Sequence, residues 1–92
     1  MNTLITYDIS DKHSEVKEGL LALGFDDFGI SDAGLKCYLP NTTMVILANN
    51  YNYILAKEEL IKICKRLDVK LIRCFAFNFT DWTALQGEPY DI

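Results

Sequence analysis

The chain has no Cys-x-x-Cys pair, no glycine-rich phosphate loop, no nucleophile elbow and no repeated segment. Zinc modules, dinucleotide enzymes, nucleotide hydrolases, serine hydrolases and solenoids therefore lose their sequence support. No window approaches the roughly 18 consecutive apolar residues of a membrane span. No amino-terminal run joins a basic head to a long apolar stretch, so the expectation is a chain without a signal peptide and without a membrane partner. Its three cysteines, Cys37, Cys64 and Cys74, are odd in number and lie in apolar stretches. They read as buried free thiols of a reducing, cytoplasmic setting. With only 2 prolines and 5 glycines, no linker divides the chain, and residues 1–92 are expected to form a single domain with residues 80–92 as a tail or an extra edge strand.

What is present is an ordinary globular composition: 50% hydrophobic and 24% charged residues, far from the low-hydrophobicity signature of disorder. A net charge of −4 argues against a general nucleic-acid coat that binds by neutralising phosphates. The charge is unevenly spread. Residues 57–73 hold six of the nine basic side chains, whereas residues 1–35 hold seven acids and two lysines. Lys62, Lys65 and Arg66 are the candidate contacts for an anionic partner, RNA or DNA, with a solvated helix face as the plainer reading.

The hydrophobic pattern sets the order of elements. Residues 3–9 form a β-branched and aromatic run, read as a central strand. Val16, Leu20 and Leu23 recur at helical spacing over residues 14–23, with Ser10 or Asp11 as cap. Residues 25–34 combine glycines and aspartates without a period and read as a loop. Residues 35–39 and 43–48 read as a hairpin around Pro40 and Asn41. A second helix follows over residues 53–67, capped by Asn50 or Asn52 and striped by Ala56, Leu60, Cys64 and Leu67. Residues 69–79 close as a strand with Phe75, Phe77 and Phe79 on one face. This order, βαββαβ, is most economically closed as an α+β ferredoxin-like sandwich, an antiparallel sheet with two helices on one face.

The other face of such a sheet must carry Tyr7, Tyr38, Cys74 or the phenylalanine row. An aromatic patch of that size calls for cover, by a two-fold homodimer or by the tail with Trp82, Leu85 and Tyr90. Trp82 reads as a seal for the core or dimer in preference to a platform for a nucleic-acid base.

Few residues offer chemistry. Asp8 ends the first strand, where a carboxylate is placed to bind Mg2+, which takes one or two protein carboxylates and keeps several waters. Two copies of Asp8 near a dimer axis would share one ion; the alternative is a carboxylate accepting hydrogen bonds from the following turn. His13 is a candidate general base or an ordinary surface histidine. Asp26, Asp27 and Asp32 do not match the alternating ligands of a calcium loop.

The string Tyr7-Asp8-Ile9-Ser10 after an apolar strand, with this element order and length, resembles the CRISPR-associated Cas-two proteins, the VapD-like ribonucleases and the small SinR-like Cas-two-like proteins. The segments Leu39-Pro40-Asn41-Thr42-Thr43-Met44-Val45 and Phe77-Asn78-Phe79-Thr80-Asp81-Trp82 resemble the SinR-like branch. The resemblance implies a ferredoxin-like homodimer in which Asp8 corresponds to the metal-binding aspartate of phosphodiester cleavage. It equally implies a non-catalytic role in holding DNA. The chain departs from the family in its second strand, which reads Lys36-Cys37-Tyr38, and in its acidic balance.

Overall fold

Odd and even positions of the first strand part company: Thr3, Ile5, Tyr7 and Ile9 are buried, while Asn2, Leu4, Thr6 and Asp8 are half-buried or exposed. Successive strand side chains point to opposite faces, so one face is core and the other is open. The computed structural model describes residues 2–90, and residues 91–92 of the expected tail lie outside them. The elements are β1 (Asn2–Ile9), α1 (His13–Ala22), β2 (Phe28–Ile30), β3 (Lys36–Tyr38), β4 (Thr43–Leu47), α2 (Tyr53–Arg66) and β5 (Leu71–Phe79). The protein is α+β, with β1 central in a three-stranded antiparallel sheet of order β4-β1-β5.

The core joins Ile5, Tyr7 and Ile9 to Val16 and Leu20 of α1, to Ala56, Leu60, Ile63 and Cys64 of α2, and to Phe25, Met44 and Ile46. The expected stripe of α2 is thus the one it buries, with Leu67 partly buried beside it. In α1 the stripe stops one residue short: Leu23 is 38% exposed, because it ends the helix as its C-cap. Asn52 caps α2, its side chain accepting from the Leu55 N–H at 2.9 Å.

Register fixes the faces. β1 pairs Thr6 with Phe75, Leu4 with Phe77 and Asn2 with Phe79, so the phenylalanine row stands on the open face. Tyr7 pairs with Cys74 and both face the core, Tyr7 buried and Cys74 half-buried. All three thiols are free, yet only Cys37 and Cys64 are fully buried. Two polar links hold the register. Thr3, wholly buried, donates to the Asn78 side chain at 2.8 Å, and the Ser10 hydroxyl accepts from the Lys70 N–H at 3.0 Å. Among the described residues β5 pairs only with β1, leaving its outer edge uninterrupted over nine residues.

Three expectations are corrected. Residues 25–34 are not all loop, because they contain β2, and β3 pairs with β2 and not with β4. The hairpin closes early: Ser31 and Leu35 exchange hydrogen bonds around Gly34, whose φ of 82° favours a residue without a Cβ. β4 is buried at Thr43, Met44, Val45 and Ile46, and such a run belongs beside the central strand. One bridge, Asp26 to Val45, ties the β2–β3 sheet to β4. The element order consequently has one strand more than expected. Lastly, neither Ser10 nor Asp11 caps α1. Lys12 stands at the N-cap with φ 55° and no side-chain cap, since Ser10 is engaged with Lys70 and the Lys12 ammonium reaches the Leu67 carbonyl at 2.8 Å.

Leu60→Ala, which empties part of the core, is expected to lower unfolding free energy by about 2–5 kcal/mol. Asn52→Ala, which removes only a cap, should lower it by about 1 kcal/mol. Urea midpoints of the two variants measure both.

Candidate functional site

Asp8 is the last open-face residue of β1, just before a register shift between Asp8 and Ile9. Its cross-strand neighbour is Arg73, whose Nε donates to the Asp8 carboxylate at 2.6 Å, with the side chains 53% (Asp8) and 75% (Arg73) exposed. Direct cross-strand pairing places opposite charges together on one face, and the guanidinium makes a charge-assisted hydrogen bond. At this exposure the pair contributes at most about 1 kcal/mol. A hard cation at Asp8 therefore meets a carboxylate already shared with a guanidinium.

The same aspartate lines a cavity of about 330 Å3 together with His13, Ser14, Lys17, Asp27 and Tyr90. Asp8 and His13, far apart in chemistry from the viewpoint of sequence, are thus brought onto one cavity wall. Asp27 pairs with Lys17 at 2.8 Å, and the Lys17 ammonium sits 4.0 Å from the Tyr90 ring centroid. The pocket mixes both signs of charge. Among the described residues no group of three His, Cys, Asp or Glu side chains gathers as a metal cage. Asp8 alone offers one carboxylate, which matches the sparse protein ligation of Mg2+ but requires another source for the remaining ligands.

Lys62, Lys65 and Arg66 lie elsewhere. They are exposed on α2, whose buried stripe meets the Tyr7 side of β1, whereas Asp8 points from the opposite face. Lys62 pairs with Glu59 one turn back at 3.4 Å, and Lys65 and Arg66 occupy the last helical turn, where cations complement the helix dipole. Asp26, Asp27 and Asp32 do not converge either: Asp26 sits in the bridge to Val45, Asp27 binds Lys17, and Asp32 lies in the hairpin turn. Sequence reasoning missed Arg73, Lys17 and Tyr90. The strand alternation held a signal for Arg73, since it shares the parity of Phe75; nothing local pointed to the other two.

Trp82 lies against the hairpin. A Cβ at Gly29 would stand 3.2 Å from its ring atoms, so the missing side chain lets the indole lie against β2. The tail is held further by Tyr38 N–H to the Gln86 carbonyl at 3.0 Å and by Tyr90 donating to the Leu39 carbonyl. Trp82 is 39% exposed and acts as partial cover.

Burial shifts Tyr7, Cys64 and Cys74 toward their protonated forms. Burial, and then the neighbouring Cys64, push the Tyr7 hydroxyl up to about 12. Burial raises the Cys64 thiol. It also raises Cys74, outweighing the lowering influence of Lys57. Neither thiol has the depressed pKa of a reactive thiolate. Comparison with family models, curated proteins and solved structures gives no match. Among the described residues no helix is long and apolar enough to cross a membrane.

Because the folded Tyr7 holds its proton up to about 12 against 10.0 for the free side chain, folding keeps more protons bound than unfolding does between those values. The Tyr7 contribution is complete below pH about 10 and is lost as pH rises toward 12. Tyr7→Phe should flatten the fall in stability across that window, read as urea midpoints at stepped pH.

Proposed function

We propose that this chain is a ferredoxin-like, Cas-two-like protein that works as a homodimeric, non-catalytic interaction or nucleic-acid-scaffolding module, cytoplasmic and without membrane attachment. One observation carries the reading: Phe75, Phe77 and Leu47 are 67%, 39% and 71% exposed on a sheet face that the helical core does not reach. A face of this kind in a small protein marks an association surface. The β4-β1-β5 order, extended by the Asp26 to Val45 bridge toward β2, supports the ferredoxin-like part of the reading. Asp8, tied to Arg73 at the end of this face, then acts as a charged register mark beside the apolar surface. Lys62, Lys65 and Arg66 project from the helical side and leave a phosphate-contacting surface free when the sheet face is covered.

The second reading is Mg2+-dependent cleavage of RNA or DNA at Asp8. It draws on the half-exposed carboxylate sharing a cavity with His13. Both ligand and base would be at hand, with the ion completed by water or by the partner's Asp8.

Sedimentation at tens of micromolar should give the mass of two chains, and Phe75→Glu with Phe77→Glu should return the mass of one at unchanged helix content. A wild-type monomer overturns the homodimer. For the second reading, Asp8→Asn is expected to abolish Mg2+-dependent cleavage of labelled RNA or DNA while leaving the fold intact by circular dichroism; undiminished cleavage in that variant removes it.

A further inference from the structure

The larger cavity, about 680 Å3, lies between the hairpin, the open end of the sheet and the C-terminal tail, and borders the apolar sheet face at Leu47 and Phe79. Its volume falls within the range of small-molecule sites, roughly 300–1,000 Å3. Four aromatic rings line it, those of Phe28, Tyr38, Phe79 and Trp82. The ionisable groups on its wall are of one sign: Asp26 and Glu88, with no Lys, Arg or His among the described lining residues. Neither carboxylate has an ion-pair partner among the described residues.

Aromatic faces carry a negative quadrupole and attract cations. Two of these rings already do so, since the Lys36 ammonium stands 4.1 Å from the Phe28 centroid and 5.3 Å from that of Tyr38. Lys36 is not part of the cavity wall. We propose that this cavity binds a small amphipathic organic cation, an arylalkylammonium in its simplest form, with the apolar group among Phe28, Phe79 and Trp82 and the ammonium directed to Asp26 and Glu88. Charge complementarity selects this occupant. An anion is repelled by two carboxylates, and a neutral molecule gains no charge attraction from them. The inference is independent of any chemistry at Asp8, and it shares only Leu47 and Phe79 with the sheet face proposed to pair.

Trp82, the single tryptophan of the chain, is a reporter built into the wall. Its emission is to be followed while titrating phenethylammonium, 2-phenylethanol and phenylacetate, three molecules of nearly one shape and three charges. A saturable change is expected with the cation, binding about tenfold tighter than the alcohol, because cation–π attraction and the exposed carboxylates act on the cation alone. Phenylacetate should bind weakest. The doubly substituted Asp26→Asn, Glu88→Gln chain should bind cation and alcohol alike; both side chains are exposed, so its circular dichroism should match wild type. Trp82→Ala, followed by calorimetry, should lose the site. Equal affinity for cation and alcohol, an unchanged preference in the double variant, or no saturable response would overturn the proposal. A Trp82 signal that follows protein concentration alone would also overturn it, by making a second copy of the chain the occupant.

Discussion

Everything in this molecule turns on the two-residue period of β1. With Ile5, Tyr7 and Ile9 committed to the core and wholly or nearly buried, the neighbouring strands are not free to choose their register, because a slip of one residue would send Asp8 into the apolar interior and Tyr7 into water. Thr3 adds a polar lock at the far end: buried without exposure, it is satisfied only while Asn78 stands opposite, and a buried hydroxyl left without a partner costs about 1–3 kcal/mol. From this register follow the aromatic open face, the Asp8 to Arg73 pair and the half-buried position of Cys74.

The sheet thereby divides its labour. The side that meets α1 and α2 is packed and its ionisable groups are held neutral, with Tyr7, Cys64 and Cys74 all shifted toward their protonated forms by burial. The other side carries an apolar row, an exposed ion pair and the aromatic cavity, while the cavity at Asp8 opens at the opposite end of the sheet against α1. The cavity at Asp8 is polar and of mixed charge, whereas the one at Trp82 is aromatic with carboxylates only. Their difference traces to sequence neighbours. The turn after β1 and the Pro40 to Thr43 segment supply polar groups to the first, while the hairpin and tail supply rings to the second.

Much of the core architecture was legible in the sequence because it rests on period alone. The stripe Ala56, Leu60, Cys64 and the alternation of residues 71–79 needed no tertiary information, and Asn52 needed only its short side chain before a helix. What was not legible depended on partner choice. β2 is three residues long, too short for a period to register, and whether β3 turns back to it or forward to β4 is decided by the Gly34 turn and by the competing claim of β1 on β4. The N-cap of α1 was misread for a similar reason: Ser10 has the right chemistry for a cap, but a backbone N–H sixty residues away takes its hydroxyl first. At the candidate site Asp8 and His13 were legible as residue types, and Arg73 as their company only through register; Lys17 and Tyr90 arrive from separate elements by packing.

The lone bridge between Asp26 and Val45 has a bearing on how copies of this chain can meet. It occupies the hydrogen-bonding groups midway along the outer side of β4, so that border is no continuous template for a foreign strand, while the outer edge of β5 has no strand partner among the described residues. Unlimited stacking of sheets side by side needs two receptive borders per molecule. Among the described residues only the β5 border offers such an unbroken run.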